Sequence, residues 1–120
     1  MCKRGDVYFV DFGDNKKSKK QLGVRPVVIV SNNKANIHSP VITIVPLTSR
    51  IKKKFLPTHV YIPASSGSGL KSPSVALAEQ VDSIDKNRLL EKRGNIASKA
   101  IMKKITKAIQ IQIGAFDKFN

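Results

Sequence analysis

A chain of 120 residues with 41% hydrophobic content is long enough for one compact domain with its own core, spanning residues 1–120, and too short to divide into two. Lys and Arg number 22 against 8 Asp and Glu, a formal charge of +14; such a field concentrates polyanions, nucleic acid first, although an anionic membrane surface or an acidic protein meets the same electrostatics. One cysteine excludes an internal disulfide framework and a cysteine-based zinc site, and the lack of both an export signal and any apolar run of ~20 residues fits a cytoplasmic protein with no membrane span.

In chain order, a turn at Lys3-Arg4-Gly5-Asp6 leads into an aromatic and β-branched strand, Val7 to Phe12. Arg4-Gly5-Asp6 spells a cell-adhesion tripeptide, a coincidence in a chain with no export signal. Gly13 to Leu22 has no periodicity and carries four lysines, so it reads as a basic loop between strands. Gly23-Val24-Arg25-Pro26-Val27-Val28-Ile29-Val30-Ser31-Asn32 follows. Its β-branched run reads as a buried strand, and the proline belongs among a strand's first residues or on its edge. Arg25 is then held at the rim of a rigid element, with Gly23 letting backbone come close. A guanidinium there suits a phosphate; a surface ion pair suits the same stretch equally well.

Asn33 to Pro40 reads as a polar turn, and Val41 to Pro46 as a third strand stopped by its proline. Thr48, Ser49 and Arg50 sit at that strand's end, and Lys52, Lys53 and Lys54 extend the edge electropositively, as a phosphate-tracking groove or a solvated face would. Pro57 to Pro63 alternates as a half-buried strand with Thr58 and Val60 on opposite faces from their neighbours, Ala64 to Lys71 is a Ser/Gly loop, and Pro73 to Val81 is another strand. Glu79, Asp82 and Asp85 recur every three residues, which on a helix would suit a metal; the residues around them favour strand and turn, so no metal site is assigned. Asp85 is placed to cap a helical turn through Asn87 to Leu90. Ser98 is placed to cap a long helix with Ile101, Ile105, Ile109, Ile113 and Phe116 on one stripe. About five short strands and one C-terminal helix predict a mainly β chain, a small and strongly bent antiparallel barrel plugged by the helix. Such a barrel leaves an edge that a homodimer would cover.

Of the residues that carry enzyme chemistry, the two histidines, His38 and His59, lie on different segments, and there is no P-loop, no Gly-x-Ser-x-Gly and no zinc spacing. The residues alone give a basic barrel with an arginine and hydroxyl groups at strand ends. They do not give a reaction.

The series Arg4-Gly5-Asp6-Val7-Tyr8, Gly23 to Asn32, Pro46-Leu47-Thr48-Ser49, Pro57-Thr58-His59-Val60 and Glu79 to Asp85 resembles the MazF/PemK family of toxin endoribonucleases, in its Gram-positive branch, over nearly the whole chain and in order. The resemblance implies a homodimeric, SH3-like (PemK-like) barrel that cuts single-stranded RNA at a short sequence with no metal or other cofactor. It implies a 2′,3′-cyclic phosphate and a 5′-hydroxyl as product ends, and an acidic, MazE-like antitoxin as partner. By position it implies Arg25 and Thr48 as the catalytic pair. Gln21, Gly23, Ser49, Arg50, Lys52, Lys53, Lys54 and Gln80 are then candidates for gripping RNA, with His59 lining the same groove. The family often has an acidic residue before Gln21 and a glycine after it; this chain has Lys20 and Leu22, so its recognised RNA sequence stays open. The rival on the same barrel is a non-catalytic nucleic-acid binder or a gyrase poison. Gyrase-poisoning toxins depend on a tryptophan near the C-terminus, and this chain has none.

Overall fold

The computed structural model describes residues 1–13, 22–51 and 54–115, so Gln21, Lys52, Lys53 and Phe116 lie outside the described residues. At the centre is β2 (Val24–Ile29), antiparallel to β1 (Asp6–Asp11) on one side and to β3 (Val41–Thr48) on the other. Val27, Val28 and Ile29 are all fully buried because both faces of this strand are covered. Val28 packs with Val45, Leu47 and Ile105, while Val27 and Ile29 pack with Val10, Ile42, Ile44 and Ile84. A strand buried on both faces needs no alternation, hence the unbroken β-branched run.

β3 divides its outer edge between two partners. Val41 to Ile44 pair with β6 (Asp82–Asp85), whereas Leu47 and Thr48 pair with β5 (Ser74–Leu77), beyond which lies β4 (His59–Ile62). On the far side β7 (Leu89–Asn95) pairs with β1. The order is β4-β5-β3-β2-β1-β7 with β6 beside β3, seven strands in place of the five expected. β7 escapes sequence reading because Glu91, Lys92 and Arg93 interrupt it and its register against β1 shifts twice, so no period of two survives. No ladder joins β4 to β7 among the described residues. Instead Asn95 N–H donates to Gly67 O at 2.9 Å, and a Cβ built on Gly94 would overlap that same carbonyl. The curled sheet closes through a turn packed on a strand, not as a fully laddered barrel.

Three local expectations are corrected. Asn33 to Pro40 is not a turn: α1 (Asn33–His38) forms there, capped by Asn32 Oδ1 accepting Ala35 N–H at 2.8 Å, and its buried Asn36 bonds Ser31. Asp85 precedes a 3₁₀ turn, Lys86–Arg88, but its side chain caps nothing in it. Pro46 does not stop β3. Val30 N–H donates to Thr43 O, so hydrogen-bonded pairs recur at Val28/Val45, and Pro46, opposite Val27, points its missing donor at the outer edge. That edge is vacant there, because pairing to β6 ends at Ile44 and pairing to β5 begins at Leu47.

The C-terminal helix α2 (Lys99–Gln112) starts as expected, with Ser98 Oγ accepting Ile101 N–H at 3.2 Å. Its buried face is Met102, Ile105 and Ala108, with Ile101 and Ile109 at the margins, and Ile113 is 68% exposed. Isoleucines spaced by four drift about 40° per step around a helix of 3.6 residues per turn, so the last one leaves the stripe. The Arg4-Gly5-Asp6 tripeptide is used inside the molecule. Arg4 donates to Val30 O and to Thr106 Oγ1, tying α2 to the end of β2. Asp6 is buried, accepting from Lys3 N–H and Asn95 Nδ2 at 2.8 Å each and pairing with Lys92 at 3.4 Å. Among the described residues no helix is long and apolar enough to cross a membrane.

Candidate nucleic-acid interface

The site begins with a missing hydrogen bond. Two residues on from Val28/Val45, the next hydrogen-bonded pair between β2 and β3 would be Pro26/Leu47, and Pro26 has no N–H to give. The ladder ends one residue earlier, at Val27/Pro46, while on its other edge β3 pairs Leu47 with Ala76 of β5. Continued past its last pair, the same register sets Arg25 opposite Thr48. Because the ladder has ended, these two side chains line an open cleft of about 440 Å³. Pro26 therefore stands in a strand flanked on both sides and not on a sheet edge, tolerated because pairing stops at it.

Arg25 is exposed, and its Nε donates to Leu22 O at 2.8 Å, which fixes the plane of the guanidinium at the end of the basic loop. Gly23 forms that loop's neck: Phe12 N–H donates to Gly23 O at 2.9 Å, and Gly23 N–H donates to Gly13 O at 2.6 Å. Its φ of +72° is what requires glycine, and a Cβ built there meets no protein atom within 4 Å. Thr48, the last residue of β3, accepts Arg50 N–H on Oγ1 at 3.1 Å. The bond orients the hydroxyl and leaves its proton and a second lone pair for other groups.

Ser49 and Arg50 complete one wall of this cleft, and Leu70, Lys71, Ser72 and Ser74 form another. A second cleft of about 420 Å³ opens on the other side of Thr48, lined by Arg50, Lys54, Phe55, His59, Glu79 and Gln80 among others. Thr48 and Arg50 border both. The joined clefts thus carry Arg25, Arg50, Lys54 and Lys71, against Glu79 as the acid. They suit a polyanion held along one line, with a hydroxyl at its middle.

The structure brings together Arg25, Thr48, Ser49 and Arg50 in the first cleft, and Lys54, His59 and Gln80 join Thr48 and Arg50 in the second. Gly23 lines neither. Phe55, Lys71, Ser72 and Glu79 were not picked out as parts of this site from sequence; the one signal was Lys71, a lone cation in a Ser/Gly loop. Glu79 faces His59 from a 3₁₀ turn, while Asp82 and Asp85 sit at opposite ends of β6, so the three do not share a helical face.

Residues 3–113 match the family described as PemK-like, MazF-like toxin of type II toxin–antitoxin system. The chain belongs to that family. It is similar to endoribonuclease MazF of Staphylococcus saprophyticus, 43% identical over 114 residues that cover 95% of this chain and 92% of that protein. It is also similar to endoribonuclease EndoA of Bacillus subtilis, 41% identical over 117 residues, 98% of each. Among solved structures it resembles a mycobacterial endoribonuclease in complex with its cognate antitoxin, with a TM-score of 0.76 and 29% identity over 95% of this chain and 96% of that one. In this MazF-like toxin the Gly-Val-Arg-Pro and Pro-Leu-Thr-Ser segments are the two strand ends that meet at the cleft.

Proposed function

We propose that this chain is an endoribonuclease toxin that cuts single-stranded RNA at a short sequence, that it acts as a homodimer in the cytoplasm, and that a cognate acidic antitoxin neutralises it. One observation supports the catalytic assignment: Arg25 and Thr48 line one cleft just past the last pair of the β2–β3 ladder. In the reaction the substrate's 2′-oxygen bonds to the adjacent phosphorus and the bond from phosphorus to the 5′-oxygen breaks, giving a 2′,3′-cyclic phosphate and a 5′-hydroxyl. Thr48 Oγ1, held by Arg50 N–H, accepts from the 2′-hydroxyl and orients it, and that proton leaves to water in the open cleft. Arginine is protonated before the reaction, so Arg25 is no general base. Its guanidinium instead meets the charge that builds on the phosphorane oxygens, an N–H directed at the departing 5′-oxygen supplies the proton that this stronger base takes, and water in the open cleft returns a proton to the guanidine.

Arg50, Lys54 and Lys71 hold phosphates along the clefts, and Ser49, Gln80, His59 and the exposed ring of Phe55 face the bases. Gln21, Gly23, Lys52 and Lys53 are assigned to the same RNA surface. The charge of +14 supports both RNA binding and an acidic, partly disordered antitoxin competing for the same cations. The homodimer is supported by β4, an outer strand carrying the exposed Tyr61. The test is incubation of the purified protein with a long single-stranded RNA in EDTA, mapping the new 5′ ends. Discrete cuts bearing 5′-hydroxyls are expected. RNA bound and left intact would favour the non-catalytic reading.

A further inference from the structure

One hydrogen bond joins Glu79 to His59, and two more tie the pair to the segment before β4. Leu56 N–H donates to His59 Nδ1 at 3.2 Å, so the ring's proton is on Nε2, which lies 3.0 Å from Glu79 Oε2. The other carboxylate oxygen, Oε1, accepts from Thr58 Oγ1 at 3.0 Å. The pair is mostly withdrawn from water, the side chains 14% and 29% exposed, and Thr58 is buried. Phe55 stands edge-on to the imidazole, ring centroids 5.5 Å apart and planes at 83°, while remaining half exposed beside Lys54.

A carboxylate in a phosphate-binding cleft repels the ligand, so Glu79 needs a role there other than contact with phosphate. Each oxygen of Glu79 accepts a hydrogen bond from the chain that walls the second cleft, Oε1 from Thr58 and Oε2 from His59. We propose that Glu79 is a positioning residue for RNA binding. Together with Leu56 N–H it holds His59 as the Nε2–H tautomer, and through His59 and Thr58 it pins Lys54 to Thr58 beside Thr48 without contacting the scissile phosphate. This deepens the endoribonuclease reading and rests on it.

The test is a double-mutant cycle in the full-length protein, reading kcat and KM on a cleavable RNA and the ¹⁵N spectrum of the His59 ring. Glu79→Ala is expected to raise KM about tenfold with kcat held within about threefold, the scale of one lost charge-assisted hydrogen bond. Added to His59→Ala it is expected to cost less than it does alone, only the share carried through Thr58. Glu79→Gln is expected to restore most of the affinity, because its amide oxygen still accepts from His59 Nε2–H and its amide nitrogen can donate to Thr58. Should Glu79→Ala not fold, Glu79→Asp replaces it, one methylene too short to reach both donors. In the ¹⁵N spectrum the wild type is expected to show the Nε2–H tautomer and Glu79→Ala a mixture. A fall in kcat at constant KM, multiplicative losses in the cycle, or an unchanged His59 tautomer would each overturn the proposal. Failure of the wild type to cut RNA would defeat the endoribonuclease reading instead, and the tautomer would still be read.

Discussion

At Pro26 the sequence withholds one N–H from Leu47, and alanine there would return it at a hydrogen-bonded position of the β2–β3 pair. One added backbone bond is worth ~1 kcal/mol and proline's restriction of the unfolded chain is worth about as much, so Pro26→Ala should leave stability within ~1 kcal/mol. Extending the ladder draws Arg25 toward Thr48, and cleavage is expected to fall on the order of tenfold from that displacement alone. Urea unfolding and initial rates on one RNA check both halves; unaltered rates would contradict the role given to Pro26. Thr48→Ser keeps the hydroxyl that Arg50 N–H anchors and should stay within about tenfold of wild type, whereas Thr48→Val should lose about 10²-fold or more. Arg25 and Thr48 were legible because each lies in a compact local motif. Their meeting was not, since it depends on which pairs of the β2–β3 ladder are hydrogen-bonded. Glu79 was hidden for a related reason: its contact to His59 ties the start of β4 to the turn after β5, and no local pattern announces a contact of that length.

Among the elements, α2 separates what periodicity says from what the sheet accepts. Ile105 is fully buried against Val28 and Leu47, so Ile105→Ala should cost about 2–5 kcal/mol. Ile113, on the same four-residue spacing, is exposed, and Ile113→Ala should stay within about 0.5 kcal/mol. Ser98→Ala removes the cap on Ile101 N–H and should cost ~1 kcal/mol. Denaturation of the three variants measures all of this, and equal losses at Ile105 and Ile113 would restore the stripe of four isoleucines. The helix was readable from its cap and its polar flank. α1 was not, because its six residues carry no apolar period and form only where Asn32 and the buried Asn36 satisfy the backbone and Ser31. β6 and β7 were missed because their partners, not their own sequences, hold them extended.

For the whole molecule, the proposed function makes charge the means of holding RNA and the β2–β3 register the means of placing the cut. Converting Lys52, Lys53 and Lys54 together to glutamine is expected to flatten the dependence of log binding constant on log salt by about 2, near 0.7 per phosphate contact on a single strand. A slope unchanged across 50–200 mM salt would remove that run from the RNA surface. Fold class was legible from the count of short strands and one capped helix, whereas closure through Gly67 and Gly94 was not, because it rests on two glycines meeting across a gap in the ladder. The most direct test of the account sets wild type beside Arg25→Ala, measuring cleavage of a single-stranded RNA in EDTA and, separately, its binding. The account predicts that the variant loses about 10²–10³-fold in rate, as when one preorganised donor to a transition-state oxygen is removed, while binding the RNA within about tenfold of wild type. An Arg25→Ala protein that cuts at the wild-type rate would contradict it.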